Sequence, residues 1–294
     1  MSRPAGLLAL ALATLIGCGG AAPPPATSVA KHSGDIETRL RRVEDELAHS
    51  AAALACRRKV HAQQAAQAAE QAASEPDPEA RFAVAIAADV AVGKVDGPAT
   101  AAVTIIKAFD FACPYCQRTA VTMDELVAAY PGRVRIVYKD YVVHPDVALD
   151  AHLAACAAAK QGKYKEYKQL VWDKGFLAYA ESRDPSRLAK ANLLVLGQTA
   201  GLDGKRLQAD MASPACKDLV AADMADLEKF HVDGTPAFFV NGKMIKGALP
   251  TAAFKEIVDE ELAAVTASGV PAADYYDKVV LAQGEKAFRA AGPR

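Results

Sequence analysis

Two apolar runs of different period frame the middle of the chain. Val103, Thr104, Ile105 and Ile106 lie within 101–109, a short β-branched run that reads as a buried strand. From Gln117 to Tyr130, Val121, Leu126 and Val127 recur at roughly helical spacing, and Pro131-Gly132 closes the segment. Far downstream, Pro236 opens the apolar run Ala237-Phe238-Phe239-Val240, at the one place where a strand tolerates a missing N–H. Asn241-Gly242 follows, and Met244 and Ile245 begin a returning strand, which is a strong hairpin signal.

The remaining pattern is helical in the middle and mixed at the edges. Arg81 to Ile86 alternates weakly as a first strand, 93–98 reads as a loop, and Val134, Ile136 and Tyr138 share one face of a strand over 133–138. Pro145 starts an apolar helix over 147–160. Further helical stretches follow at 164–172, 186–196, 205–211 and 219–230, then a helix at 254–265 and another over 275–288. Near the N-terminus, Ile36, Leu40, Val43, Leu47 and Leu54 alternate in steps of four and three, with Ser50 interrupting. That seam is about two and a half heptads long. The helix over 36–73 can pack on its own chain, act as a solvated spacer, or pair with a second copy through 36–60. Glu75-Pro76-Asp77-Pro78 breaks it and marks a domain boundary.

Upstream of that helix the chain has the look of an export signal. Arg3 supplies a positive region and Leu7 to Ile16 an apolar stretch, too short to span a bilayer. Leu15-Ile16-Gly17-Cys18 resembles a bacterial lipobox, in which Cys18 becomes the lipid-bearing first residue of the mature chain. Signal cleavage after Ala22 is the alternative, and it leaves Cys18 unexplained. Several acyl chains on one terminus anchor stably. The Ala/Pro/Gly-rich residues 18–35 read as a flexible tether. The 34 basic and 35 acidic residues nearly cancel, so nothing argues for a nucleic-acid partner.

The chemistry lies where the first strand and helix meet. Phe109-Asp110-Phe111-Ala112-Cys113-Pro114-Tyr115-Cys116 puts Cys113 at a helix N-terminus and Cys116 one turn in. Unpaired N–H groups and the helix dipole stabilise a thiolate at Cys113. Pro114 fits the first helical position. Half of a zinc site has the same Cys-x-x-Cys spacing, but no second such motif or close His pair completes one, so no metal is expected. A structural staple over so short a loop would constrain little. A thiol–disulfide exchange site remains.

Four other cysteines and several histidines need a place. Cys156 lies in an apolar helix face and Cys216 follows Pro214-Ala215; the two can pair in an oxidising compartment or stand as buried thiols. With Cys18, the Cys113/Cys116 pair and that bridge set aside, Cys56 is left over among Arg57, Arg58 and Lys59. His144, before Pro145, suits capping or packing at a helix start. His152 and His231 show no partner.

Together these segments resemble the thioredoxin-fold family, and within it the DsbA-like branch of bacterial envelope oxidoreductases. The matching residues are Val103-Thr104-Ile105-Ile106, Asp110 to Cys116, His144-Pro145, Gln161-Gly162-Lys163-Tyr164, and Gly234-Thr235-Pro236-Ala237-Phe238-Phe239-Val240-Asn241-Gly242. The resemblance covers about 80–262 and implies an α/β thioredoxin fold with an inserted α-helical domain, preceded by an N-terminal helix. It places the domain at 79–265 and its insertion at about 147–228; the residues read as a signal at 1–17 and a helical extension at 266–294 lie outside it. It also implies that Pro236 is cis and packs beside the cysteine pair. Cys113 would be the exposed, attacking sulfur and Cys116 the resolving one, with Pro114, Tyr115, Thr235 and Pro236 meeting the client. Many relatives carry a buried acid two or three residues before the Asp-Phe; this chain has Lys107 there, and Asp110 stands as a substitute proton acceptor.

The resulting expectation is a lipid-anchored envelope enzyme facing the periplasm or exterior. It would oxidise client proteins with cysteine thiols and be reset by a membrane or soluble redox partner, without metal, nucleotide or organic cofactor. Export and the helical insertion favour an oxidase; a helix able to dimerise would suit an isomerase. A reductase, or a thioredoxin-like scaffold that has lost its chemistry, completes the alternatives.

Overall fold

A computed structural model describes residues 36–292. Cys18, the signal over 1–17 and the tether over 18–35 lie outside the described residues. The chain divides into two units with the boundary between Gln71 and Ala72.

The first unit consists of helix α1, Ile36–Ser74, whose last residues cross the boundary. Its Ala-rich composition favours helix throughout, and it ends just before Pro76, as a residue preceding proline is pushed out of the helical region. Its apolar seam is uncovered: Ile36, Leu40, Val43, Leu47 and Leu54 are all more than half exposed. Cys56 is disulfide-bonded, so the expectation that it is left over is corrected.

The second unit is built on a five-stranded sheet of order β1-β3-β2-β4-β5. After helix α2 (Ala87–Val92) come β1 (Val95–Asp96), β2 (Val103–Phe109), α3 (Pro114–Ala129) and β3 (Val134–Asp140). β2 and β3 run parallel across the α3 connection, with Val103 opposite Val134 and Phe109 opposite Asp140. The hairpin β4 (Ala237–Val240) and β5 (Lys243–Lys246) adds antiparallel to the other side of β2. β2 is therefore central and buried at every position, which is why it reads as one continuous apolar run. Strand alternation sends Val103, Ile105 and Phe109 into the core shared with α3, and Ile106 and Ala108 into a second core around Phe82, Phe230 and Phe239.

Between β3 and β4 the chain makes a helical block. It comprises α4 (Pro145–Ala159) and α5 (Tyr164–Leu170), which continues through a π turn (Val171–Phe176) into α6 (Leu177–Ser182). A 3₁₀ turn (Pro185–Leu188) leads to α7 (Lys190–Thr199), α8 (Gly204–Ala212) and α9 (Pro214–Glu228). A Cys156–Cys216 disulfide joins α4 to α9. α10 (Thr251–Ser268) packs Phe254, Val258 and Leu262 against the sheet. This is the architecture the resemblance implied: a helical block inserted between the parallel pair and the hairpin.

Three expectations at the edges are corrected. Residues 81–86 form no sheet strand; Phe82 N–H donates to the Gly242 carbonyl, Ala83 N–H to the Glu285 carbonyl, and Glu285 N–H to the Arg81 carbonyl. Their apolar pattern reflects packing of Phe82 and Val84 into the second core. The first strand is instead β1, inside the expected 93–98 loop, where Lys94 and Asp96 are buried by ion pairing that local pattern does not reveal. The last helix starts earlier and stops sooner than 275–288. α11 (Ala272–Tyr275) runs into a π turn (Tyr276–Leu281), and helix ends before Gly284, where a side chain would meet the Val280 and Arg81 carbonyls at 2.4 and 2.7 Å.

Candidate active site

The site forms where β2 hands over to α3. Asp110 is fully buried and holds the connecting loop: its carboxylate accepts from Ala112 N–H at 2.6 Å, and from the Val143 and His144 N–H groups at 2.6 and 2.7 Å. One side chain thus ties the loop before Cys113 to the entry of α4, where His144 is the N-cap position. The His144 ring nitrogen Nδ1 also lies 3.3 Å from the Asp110 carboxylate. Phe111 fastens the same loop to the inserted block, with ring centroids 4.9 Å from Trp172 and 5.0 Å from His152.

Cys113 occupies the N-cap of α3 with extended backbone (φ −88°, ψ 120°), and Pro114 takes the first helical position. The Cys113 carbonyl accepts from Cys116 and Gln117 N–H, which closes the first turn and brings the two sulfurs together. Both are thiols. Cys113 was expected to be exposed, yet it retains only 5% exposure against 0% for Cys116. Its cover is the loop before β4: the Cys113 thiol donates to the Thr235 carbonyl at 3.3 Å, and the Thr235–Pro236 peptide bond is cis. Tyr115 stands out at 53% exposure with the Arg118 guanidinium 4.6 Å from its ring centre. Pro114, Tyr115, Thr235 and Pro236 therefore sit on or beside the accessible edge of the pair.

The two thiols differ by environment. Cys113 is pulled down to about 5, first by the hydrogen bond from the Cys116 thiol and then by the Thr235 side chain and helix N–H groups, against partial burial. Cys116 is pushed well above the ordinary thiol range by burial, and also because its proton is the one that bonds Cys113. The Cys113 thiol thus ionises more readily than the Cys116 thiol.

Beneath them lies Lys107, buried at 1% exposure, with Nζ donating to the Cys116 carbonyl at 2.9 Å. Burial lowers it to about 7. Its sequence signal was a single charge inside an apolar strand.

A second buried feature went unread in the sequence. Lys94 Nζ touches Asp89, Asp140 and Asp223 at 2.7–2.8 Å, and Lys139 touches Asp89 and Asp223 at 2.9 and 2.6 Å. His152 Nδ1 lies 2.6 Å from Asp140, and its Nε2 accepts from Phe111 N–H at 3.3 Å. That assigns the neutral tautomer with its proton toward Asp140. His152 thereby joins the active-site loop to the charged cluster.

Comparison with known proteins agrees with this geometry. Residues 89–260 match the family described as Thioredoxin. A thioredoxin-like oxidoreductase from Silicibacter pomeroyi DSS-3 has a similar structure, with TM-score 0.51 and 29% identity, covering 57% of this chain and 91% of that one. BdbD from Bacillus subtilis shares the fold, with TM-score 0.52 and 17% identity, over 64% of this chain and 99% of that one. So does the catalytic domain of Proteus mirabilis ScsC, with TM-score 0.50 and 18% identity, over 59% and 90%. Among curated relatives, a Na(+)/H(+) antiporter NhaA from Herminiimonas arsenicoxydans is 29% identical over 54% of this chain, and an NhaA 3 from Salinispora tropica 34% identical over 52%. The chain spans only 24% and 22% of those two proteins' lengths. No helix among the described residues is long and apolar enough to cross a membrane.

Proposed function

Because the chain belongs to the thioredoxin family, matched over more than half its length, we propose that it is a thiol–disulfide oxidoreductase whose Cys113–Cys116 pair oxidises client proteins. The carrying observation is the pairing of an N-cap thiol that ionises near 5 with a fully buried thiol one turn inside, beside Thr235. The oxidoreductase with the similar structure at 29% identity supports the same reaction class.

In the forward reaction a client thiolate attacks Cys113 of the disulfide form. The S–S bond breaks with its electron pair on Cys116, which takes a proton. A second client thiolate then attacks the client sulfur of the mixed disulfide and expels Cys113 as a stabilised thiolate. The client loses two electrons and the pair gains two; a disulfide-bearing or membrane redox partner takes them off again. Pro114, Tyr115, Thr235 and Pro236 form the edge that meets an extended client segment, whose backbone can pair there.

The low Cys113 value supports the oxidising direction, since a stabilised thiolate favours the dithiol form and makes the disulfide a stronger oxidant. Equilibration with glutathione buffers should give a potential of about −120 to −180 mV, and a value near about −270 mV would mark a reductant instead. Cys113→Ser should abolish exchange; retained client binding without exchange would favour the scaffold reading. The uncovered seam of α1 supports an isomerase as second reading, since two sites held together suit reshuffling.

The domain plan we propose keeps 1–17 as a signal, 18–35 as a tether, 79–265 as the catalytic domain with its insertion at about 147–228, and 266–294 as an extension. A lipid on Cys18 would hold it in the bacterial envelope, facing the periplasm or exterior. The mass of the mature N-terminal peptide decides the matter. A terminus beyond Ala22 removes the anchor.

A further inference from the structure

Among the described residues, Lys94 and Lys107 are the two lysines at 1% exposure or less, and their surroundings differ in one respect. Lys94 is met by three carboxylates, and burial is outweighed: its ammonium is held well above the ordinary range. Lys107 has no carboxylate within ion-pair distance among the described residues. Its one hydrogen bond is to the Cys116 carbonyl at 2.9 Å. The charged and titratable groups that act on it are Cys116, Cys113 and Asp124 of α3 and Lys168 of α5. Lys168 opposes its charge, Asp124 is the acid among the four, and the groups whose charge changes during thiol exchange are the two sulfurs.

Strand alternation explains the placement. Lys107 follows Val103 and Ile105 on the α3 side of β2, so its side chain enters the core under the first turn of α3. An unpaired ammonium buried there is costly, and its stable company is a thiolate. A structural lysine would be expected to have carboxylate partners, as Lys94 and Lys139 do.

We propose that Lys107 is the charge partner of Cys116, an ammonium while that sulfur is a thiolate and a free amine once it is protonated. The inference rests on the exchange reading above. When a client thiol ionises and its thiolate forms the bond to Cys113, the old S–S bond breaks with its electron pair on Cys116, and the proton released by the client is taken up by Lys107, whose ammonium stabilises the new thiolate. The ammonium then passes its proton to the sulfur, leaving Cys116 thiol and Lys107 amine. In reverse, the amine accepts the Cys116 proton, and the thiolate attacks the mixed disulfide on Cys113. Atoms, protons and electrons balance without a further group. A value near 7, reached chiefly through burial, suits such exchange at neutral pH.

Two measurements test it. In wild-type protein labelled with ¹³C at lysine Cε, the Lys107 signal should titrate near 7 in the reduced protein and lower in the oxidised one, where neither sulfur is charged. A midpoint above about 10 in both states, the ordinary lysine range, would overturn the proposal. This needs no variant to fold. Second, Cys113 is loaded with glutathione and its release by Cys116 is followed against pH. The wild-type rate should rise through an inflection near 7. Lys107→Met should shift the rise to higher pH and slow release at pH 7 by about tenfold or more. Lys107→Arg, always charged, should remove the inflection. An unchanged Lys107→Met profile would count against the proposal. Failure to load glutathione at all would instead sink the exchange reading.

Discussion

A thiol at a helix N-cap and a thiol three residues later share one chemistry until their surroundings separate them. Cys113 receives the Cys116 proton as a hydrogen bond and falls to about 5, while burial drives Cys116 the other way. Alkylation of the reduced protein should therefore label Cys113 first, at a rate that rises through about pH 5 and is flat by pH 7, with Cys116 untouched until well above the ordinary thiol range. Peptide mapping after a brief pulse checks this, and earlier labelling of Cys116 would reverse the two roles. A depressed thiol also favours the folded, reduced form at higher pH. That contribution should shrink as pH falls from about 9, the unfolded value, through about 5. At this scale much was legible. The Cys113-Pro114-Tyr115-Cys116 turn is a local backbone arrangement, and local sequence specifies it. The covering of Cys113 by Thr235, 122 positions away, was reachable only through resemblance. The backbone partners of Asp110 were out of reach for the same reason, since they include Val143 and His144, more than thirty residues on.

Among the elements, β3, α2 and α9 converge on two lysines facing three buried carboxylates, and the arithmetic of charge has a consequence. The excess carboxylate makes one added proton welcome. Desolvation and the neighbouring acids raise Asp223 to about 6, against about 3.8 for an unperturbed aspartate. A carboxyl with a raised folded value contributes stability that is fully present below about 3.8 and lost as pH rises through about 6. Denaturant titrations should show this term declining between about pH 4 and 6, most visibly as the difference between wild type and Asp223→Asn. Asp140 behaves oppositely, held far below the ordinary range against desolvation by Lys94 and His152. Asp140→Asn should cost about 3–5 kcal/mol at neutral pH, as loss of one partner in a buried pair does, whereas Asp223→Asn should cost less; equal penalties would refute the assignment. The cluster was invisible in sequence because Lys94 and Asp223 lie 129 positions apart and each reads as an ordinary surface charge. A separate ion pair, Asp96 with Lys168, hid β1, and Phe82 mimicked a strand by burying itself without joining the sheet.

For the whole molecule, order along the chain carried the fold: strand, helix, strand, helical block, hairpin is a sequence of periods, and it was readable from end to end. What holds the block together was less so. The Cys156–Cys216 bridge closes 60 residues and by loop entropy contributes about 4 kcal/mol, so Cys156→Ala with Cys216→Ala should lower unfolding free energy by up to that amount while leaving exchange at Cys113 intact. The α1 seam makes a separate prediction. Sedimentation should show a concentration-dependent dimer that Leu40→Glu with Leu47→Glu dissolves; a monomer at every concentration would leave the helix a spacer. The bridge has one further consequence. Its two cysteines are 0–1% exposed, whereas the Cys113 thiol lies beside the loop that carries Thr235. If the pair oxidises clients as proposed, the molecule would be discharged by them and sit idle in a reducing spell without coming apart, ready to be recharged on the same framework.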